Sequence, residues 1–231
     1  MTEKEVLQEL RGLGTAQNRK VYRRHGVTGD AFGVSYANMA KLTKKIKTDH
    51  DLAQKLWSSG NHDARILATF IVDTERMDKR LINSWAKDLS NYVITDAFVQ
   101  AVSRTVFAQS KMEQWNKAKN EWIASAGWQL LGYLAMNEHG LSDRFFEEYL
   151  TIIKRDIHSQ KNRVRYAMNN ALIAIGARTD TLEKKALSIA DKIGKVVVDH
   201  GETNCKTPDA RLYIPKAAAR NRKRRPSTAA R

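Results

Sequence analysis

Apolar residues recur at intervals of three and four along most of the chain, which is the spacing of one face of an α-helix. The pattern predicts a first helix over residues 3–13 and another over residues 36–46, separated by a short basic segment and a turn-rich stretch. Proline, which interrupts helices, occurs only at positions 208, 215 and 226. Alternation with a period of two is almost absent, and residues 195–199 fit either a short strand or a helix end.

From residue 52 onward the predicted helices form pairs that repeat about every 30–40 residues, in the range of helical solenoids. The pairs are 52–57 with 62–72, 79–89 with 93–106, 112–119 with 121–135, and 141–157 with 162–175, and a last unit begins at 182–197. Second helices carry closely spaced alanines, and one pair cannot bury its apolar face alone. The sequence therefore predicts an all-α array whose core includes the aromatic residues of the first helices, Trp57, Trp85, Trp115 and Tyr149.

The charge balance indicates what class of partner the protein binds. The 231 residues include 40 Lys and Arg against 25 Asp and Glu, a formal net charge of +15. A surplus of this size favours a polyanionic partner, nucleic acid before membrane, because Lys and Arg release counterions when they neutralise phosphates. A basic protein without a specific partner is the alternative.

The end of the chain has a different composition. Residues 216–231 contain seven basic and no acidic residues, which leaves a net charge of +8 on residues 1–215. This composition predicts a disordered basic tail over 216–231, after one helical-repeat domain over 1–215. The tail fits either a nucleic-acid arm or a solvated terminus.

The single cysteine, Cys205, excludes an internal disulfide and fits a reducing compartment. The sequence shows neither a signal-peptide pattern nor an apolar run long enough to span a membrane. We therefore expect a cytoplasmic monomer, associated with the nucleoid if it binds DNA, with no membrane and no obligate protein partner.

Motifs for several kinds of chemistry are missing from the sequence. It contains no glycine-rich phosphate loop, no paired-cysteine zinc motif and no serine nucleophile elbow. Residues 199–205 hold the one metal-like cluster, but four mixed ligands in one short loop rarely close a site without a further ligand from elsewhere. The preferred explanation for these polar residues is hydrogen bonding within a terminal turn, so we predict no metal and no cofactor. The histidines outside this loop receive no chemical role.

Tyr92 and Asp96 are the candidate chemical pair. They lie four residues apart near the start of a predicted helix, so they share one face, one turn apart. In a curved array this face lies near the middle of the concave side. The structural alternative is that Asp96 caps or solvates the helix and Tyr92 is half-buried. Other polar residues of successive second helices are expected on the same surface: Asp63, Arg65, Ser125, Arg165, Asn169 and Asn170.

At this point the chain resembles the DNA alkylation repair family, the AlkD-like helical-repeat glycosylases. Short stretches whose order and spacing match the family carry the resemblance, which covers roughly residues 30–176. These stretches are 32–34, 39–41, 49–53, 56–57, 63–68, 84–89, 91–92 with Asp96, 121–123 and 165–172.

The resemblance implies a HEAT-like superhelix, an α-solenoid of five or six helical pairs whose concave basic face cradles duplex DNA. Characterised family members remove purines alkylated on a ring nitrogen, such as N3-alkyladenine and N7-alkylguanine, without a metal or cofactor. Because such a purine is already cationic, the enzyme mainly has to stabilise the positive charge that develops on the sugar, and a positioned carboxylate does this. Asp96 matches the family's aspartate, and Tyr92 matches a family tryptophan packed against the damaged nucleotide.

Two further positions depart from the family pattern. Where the family has an arginine that helps to hold the DNA backbone at the lesion, this chain has Ala124 or Ser125, and where the family has a second tryptophan it has Asn170. The predicted substrate- and DNA-binding residues are Lys41, Lys44, Lys45, Arg65, Ser125, Arg163, Arg165, Asn169 and Asn170.

These observations lead to three functional hypotheses. The first is a DNA alkylation repair protein that binds duplex DNA and hydrolyses the N-glycosidic bond of cationic alkylpurines, with Asp96 and Tyr92 as catalytic residues. The second, motivated by the departures, is a non-catalytic family member that binds duplex or branched DNA. The third is a helical scaffold whose basic face meets an acidic protein.

Overall fold

The computed structural model describes residues 1–137 and 140–224, and within these ranges the chain is helical, with irregular connections and no strand. The helices are α1 (Glu3–Leu13), α2 (Ala16–Arg24), α3 (Tyr36–Ile46), α4 (His50–Ser58), α5 (His62–Ile71), α6 (Lys79–Lys87), α7 (Tyr92–Val102), α8 (Ala108–Trp115), α9 (Glu121–Met136), α10 (Asp143–Asp156), α11 (Asn162–Gly176), α12 (Asp180–Ile193) and α13 (Ala210–Arg224). A short 3-10 turn, Ile157–Ser159, follows α10. The all-helical prediction is confirmed, and residues 195–199 form no strand.

The described chain divides into two compact units. Residues 1–108 together with 200–204 form the first, and the rest of the described chain forms the second. None of the described helices is long and apolar enough to cross a membrane. The prediction that residues 1–215 form a single domain stays a prediction.

The first unit is built around α5, which packs against α1, α3, α4 and α7. Eight of the ten residues of α5 are buried, and the second-helix alanines Ala64 and Ala68 are fully buried. Small side chains allow helix backbones to approach closely, so the predicted role of these alanines agrees with the packing. Side chains on α5 therefore have neighbours on several sides, and the polar ones need partners inside the protein.

Asp63, near the start of α5, meets this need with three backbone hydrogen bonds. Its carboxylate accepts N–H groups from Phe32, Gly33 and Val34, at 2.6, 3.1 and 2.8 Å, and it is fully buried. The expectation that Asp63 lies on the polar surface of the second helices is therefore wrong. Gly33 has φ +81°, and a Cβ there would lie 2.6 Å from the carbonyl oxygen of Thr15. Only glycine fits this backbone position without displacing its neighbours. The carboxylate thus fixes the segment that leads into α3.

An indole stack joins the first helices of two successive pairs. The rings of Trp57 on α4 and Trp85 on α6 are parallel, with 4.2 Å between their centroids. The Nε1–H of Trp57 donates to the Asp88 carboxylate at 2.8 Å. Both tryptophans are buried, as is Trp115 on α8, and Tyr149 on α10 is half-buried. The prediction that the tryptophans of the first helices are core residues is confirmed.

The second unit is built around α11, which packs against α9, α10, α12 and α13. Two glycines permit close contacts there. A Cβ on Gly127 would lie 2.3 Å from the backbone nitrogen of Asn116, and one on Gly176 would lie 2.8 Å from side-chain carbons of Ala186 and Ile214. Such distances are far below van der Waals contact, so larger residues at either position would force neighbouring segments apart.

The prediction of a disordered tail from residue 216 was wrong for residues 216–224, which form the second half of α13. The physical reason is packing that composition alone did not reveal. Ile214, Ala218 and Asn221 are buried, and Asn221 Nδ2 donates to the carbonyl of Ala177 at 2.9 Å. Arg222 pairs with acidic residues near the start of α12. The remaining residues of the predicted tail, 225–231, lie outside the described residues.

Replacing Asp63 with Asn should lower the free energy of unfolding by about 2–4 kcal/mol, because an amide NH₂ then faces buried N–H donors. Urea denaturation followed by circular dichroism measures this. The matched control is Asp51→Asn, an exposed carboxylate 3.0 Å from Arg76, whose loss should cost at most about 1 kcal/mol. Equal effects of the two changes would contradict the anchoring role of Asp63.

Candidate functional site

The start of α7 presents Tyr92 and Asp96. Asn91 is the N-cap residue, and its side chain accepts the N–H of Ile94 at 3.1 Å. Asp96 therefore does not cap the helix, which removes one of the two structural alternatives for this residue. Tyr92, the first helical residue, is half-buried, and Asp96 lies one turn later with an exposed side chain.

Two residues from distant parts of the first unit complete this surface. The Nδ1 atom of His25 and the hydroxyl of Tyr92 are hydrogen-bonded, and their tilted rings lie 5.6 Å apart. Tyr36, the first residue of α3, is 52% exposed and lies 6.3 Å from the ring of Phe70. Desolvation raises the pKa of Tyr36, and the negative charge of Asp96 is the next contribution.

His25 has a clear electrostatic setting. Burial lowers the pKa of its imidazole, and the positive charge of Arg24 lowers it further. A neutral imidazole can accept a hydrogen bond from the phenol of Tyr92, which a doubly protonated imidazolium cannot. Sequence reasoning gave His25 no role, and no pattern could have linked it to a tyrosine 67 residues away.

Behind this surface lies a buried aromatic pair. The hydroxyl of Tyr22 donates to the carbonyl of Val34 at 2.5 Å, and its ring meets that of His62 edge to face, with 5.2 Å between centroids. Burial lowers the pKa of His62 to about 4, against an opposing contribution from Asp63. His62 is 5% exposed, and its Nε2 atom has no hydrogen-bond partner. The imidazole is thus held neutral inside the first unit.

The predicted cations of the first unit have different surroundings. Lys41 and Lys44 on α3 are exposed, whereas Lys45 pairs with Glu9 at 2.8 Å. Arg65 turns toward the tryptophan pair, where its Nε donates to the carbonyl of Trp57 at 3.1 Å. Its guanidinium also lies 3.4 Å from Asp88 and over the indole ring of Trp57. A contact of Arg65 with DNA stays a prediction, but the structure gives this arginine a packing role.

The predicted residues of the second unit are largely internal. Ser125 is 2% exposed, and its hydroxyl lies 3.4 Å from the carbonyl of Arg163, to which it donates. Arg163 is also buried, 4.7 Å from the Tyr166 ring. Asn169 is buried too, and it donates to the carbonyl of Pro208 at 2.9 Å. Arg165 and Asn170 are half-buried on α11. The expectation that Ser125 and Asn169 lie on a polar surface is wrong because both are buried. The contacts of all five residues with DNA stay predictions.

The predicted metal-like cluster, residues 199–205, begins at a residue whose backbone is hydrogen-bonded to a side chain of α11. Asn162 exchanges two hydrogen bonds with the backbone of Asp199, at 2.7 and 2.8 Å. Within residues 1–137 and 140–224, no group of three or more His, Cys, Asp or Glu side chains is arranged to hold a metal ion. Cys205 is exposed.

The geometry of the first unit brings an exposed carboxylate, two phenols and an imidazole together on one surface. Phenol and imidazole rings can stack on nucleotide bases. A carboxylate can stabilise positive charge that develops on a sugar. The residues therefore suit contact with a nucleotide that is at least partly unstacked.

Known proteins with similar sequences support the prediction of a helical-repeat protein. The family described as DNA alkylation repair enzyme matches residues 6–214. An uncharacterised protein of Listeria innocua is 31% identical over 220 residues, which cover 93% of this chain and 95% of that protein. An uncharacterised protein of Listeria monocytogenes is likewise 31% identical, with 93% and 96% covered.

A solved structure extends the likeness to three dimensions. It superposes with a TM-score of 0.87 at 30% identity and covers 96% of each chain. That protein is described as one of a new family related to the HEAT-like repeat DNA glycosylases with affinity for branched DNA structures. The fold is therefore a HEAT-like helical repeat, as predicted. The chain belongs to the DNA alkylation repair enzyme family.

The buried neutral His62 predicts a pH-dependent stability. Its pKa rises from about 4 in the folded protein to 6.5 when unfolded, so its contribution is complete above pH 6.5 and is lost as the pH falls toward 4. Within this window the free energy of unfolding should fall by up to about 1.4 kcal/mol per pH unit through His62. Urea denaturation between pH 5 and 7 should therefore give a shallower pH slope for His62→Gln. Parallel curves for the two proteins would contradict this account.

Proposed function

We propose that this protein binds DNA and prefers branched structures to linear duplex. The observation that carries the proposal is the likeness, at 30% identity over 96% of both chains, to a protein described as having affinity for branched DNA. The net charge of +15 supports a polyanionic partner independently. A DNA-binding role also agrees with the predicted cytoplasmic, nucleoid-associated location.

The surface around Tyr92 supplies the reason for such a preference. At a branch point, base pairs are more easily opened than within a continuous duplex, so a base there is available for stacking. Tyr36 and Tyr92 offer rings on the surface that carries Asp96. Stacking on an aromatic ring is worth about 1–3 kcal/mol per base and depends little on sequence. Such contacts favour open junctions over fully stacked duplex without reading a particular sequence.

Base excision is the second candidate, and the exposed carboxylate of Asp96 favours it. In that reaction the N-glycosidic bond breaks with its electron pair going to the cationic alkylpurine, which leaves as a neutral base. Water then adds to the sugar cation and releases a proton. Asp96 would stabilise the sugar cation and orient the water. The family's arginine and second tryptophan, which resemblance places at Ala124 or Ser125 and at Asn170, are absent here, which makes binding the first candidate.

Binding is tested by fluorescence anisotropy with a four-way junction and a linear duplex of equal length. We expect tighter binding of the junction and a linear fall of log K with log salt concentration, the signature of phosphate contacts. Equal affinity for both DNAs would overturn the branched preference. An acidic protein that displaces DNA at physiological salt would instead support a scaffold role.

The role of Asp96 is tested by the release of N3-methyladenine and N7-methylguanine from methylated duplex, quantified by chromatography. If the protein excises bases, Asp96→Asn should reduce release at least about 100-fold, since a carboxylate that stabilises the transition state is lost, and should leave binding nearly unchanged. Asp51→Asn, an exposed carboxylate on α4, is the matched control. Excision retained by Asp96→Asn would sink the catalytic role, and no release from the unaltered protein would leave binding as its function.

A further inference from the structure

The basic face of α2 is not explained by the site described above. Residues 10–29 contain five basic residues and no acidic residue. Two of these, Arg11 and Arg19, contact Phe32: the guanidinium of Arg11 lies 5.4 Å from its ring, and Arg19 donates to its carbonyl at 3.1 Å. The other three, Lys20, Arg23 and Arg24, are exposed.

These three cations line one cavity of about 770 Å³. Gln17 and Gly26 also line it, and so do Gly201 and Glu202 of the 200–204 segment. Gly201 lies against the end of α2, because a Cβ there would be 3.9 Å from the carbonyl oxygen of Arg24. Arg23 also lines a second cavity, of about 460 Å³, together with Arg11 and Arg19. Asp30 also lines the second cavity and accepts a hydrogen bond from Asn61 at 2.9 Å. Arg23 therefore connects the cations of the two cavities.

The position of this face connects it to the candidate site. Arg24 is the last residue of α2, and His25, which follows it, is hydrogen-bonded to Tyr92. The charge of Arg24 acts on the imidazole of His25. Successive phosphates of a strand advance by about 3.4 Å along a duplex axis. Phosphates held at the end of α2 would thus lie within a few nucleotides of a base placed at Tyr92.

We infer that Lys20, Arg23 and Arg24 form a phosphate-binding surface that holds the DNA backbone next to the Tyr92–Asp96 site. The inference rests on the proposed DNA binding and adds a surface beyond the predicted residues of α3, α5, α9 and α11. Glu202, which lines the same cavity, adds a negative charge to this surface. The carboxylate therefore weakens binding at this surface and limits it to DNA that supplies enough contacts elsewhere.

Two sets of variants with opposite expected effects test the inference, with the four-way junction as the probe. Arg23→Gln combined with Arg24→Gln should weaken binding about tenfold. It should also lower the slope of log K against log salt by about 1.8, since each lost phosphate contact removes about 0.9. Glu202→Gln should strengthen binding about threefold, the size expected for one exposed charge.

The matched control is Lys55→Gln combined with Arg80→Gln, which removes two exposed cations from α4 and α6 of the same unit. It should change affinity less than about twofold. Arg23 and Arg24 also lie in the last turn of α2, where their positive charge interacts favourably with the negative end of the helix dipole and stabilises the helix. Thermal unfolding of each variant detects a loss of protein stability. Such a loss alone would leave the slope of log K against log salt unchanged for the folded protein.

The outcomes separate the two proposals. An unaltered protein that binds neither junction nor duplex overturns both the proposed function and this surface. An unaltered protein that binds the junction, with unchanged affinity and salt slope in the α2 variant, overturns the surface alone. Loss of slope in the α2 variant, together with tighter binding by Glu202→Gln, supports it.

Discussion

The carboxylate of Asp63 is the interaction on which the first unit depends. It lies on the most buried helix of that unit and accepts three consecutive backbone N–H groups from residues 32–34. A buried charge is expensive unless it is well hydrogen-bonded, and buried N–H groups are expensive unless they have acceptors. The carboxylate and the three N–H groups therefore satisfy each other's hydrogen-bonding needs. These bonds fix the segment that leads to Tyr36. Because the hydroxyl of Tyr22 donates to the carbonyl of Val34 in this segment, they also help to order the end of α2.

The candidate site is formed by residues at the ends of three helices of the same unit. Tyr36 and Tyr92 are the first residues of α3 and α7, and His25 follows the last residue of α2. Residues at helix ends are held by capping interactions but still face outward, which suits contact with a ligand. The hydrogen bond between His25 and Tyr92 limits the rotation of that phenol. A ring that is already oriented loses less conformational entropy when a base stacks on it.

The proposed function depends on charge and shape more than on one catalytic group. The carboxylate that resemblance associates with excision is present as Asp96, and it is exposed. The serine at a position where the resemblance implies a phosphate-holding arginine is buried and bonded within the second unit. A surface can keep the electrostatics of DNA binding while the geometry that selects one damaged base has changed. Under the proposed function, binding and excision are therefore separable.

Much of the fold could be predicted because helix periodicity and helix caps are local in sequence. The predicted bounds 3–13 and 36–46 coincide with α1 and α3. The prediction was wrong where tertiary contacts determine the structure. The basic composition of residues 216–224 predicted disorder, but these residues belong to α13, which buries one face as far as Asn221. The functional roles of the candidate site residues stay predictions, and the sequence could bring only some of these residues together. Tyr92 and Asp96 share a helix and so a periodicity, whereas His25 and Tyr36 come from other helices and share none with them.

The 200–204 segment gives the first unit an unusual order of synthesis. Residues 1–108 leave the ribosome before it, and the whole of 109–199 is translated in between. Because N-terminal regions begin to fold during translation, α1–α7 can pack before Glu202, which lines the cavity beside α2, has been synthesised. During this interval Lys20, Arg23 and Arg24 are present without Glu202, the acidic residue that lines the same cavity in the complete chain. Glu202 is synthesised only after α1–α12, so the cavity beside α2 gains its acidic lining residue near the end of translation.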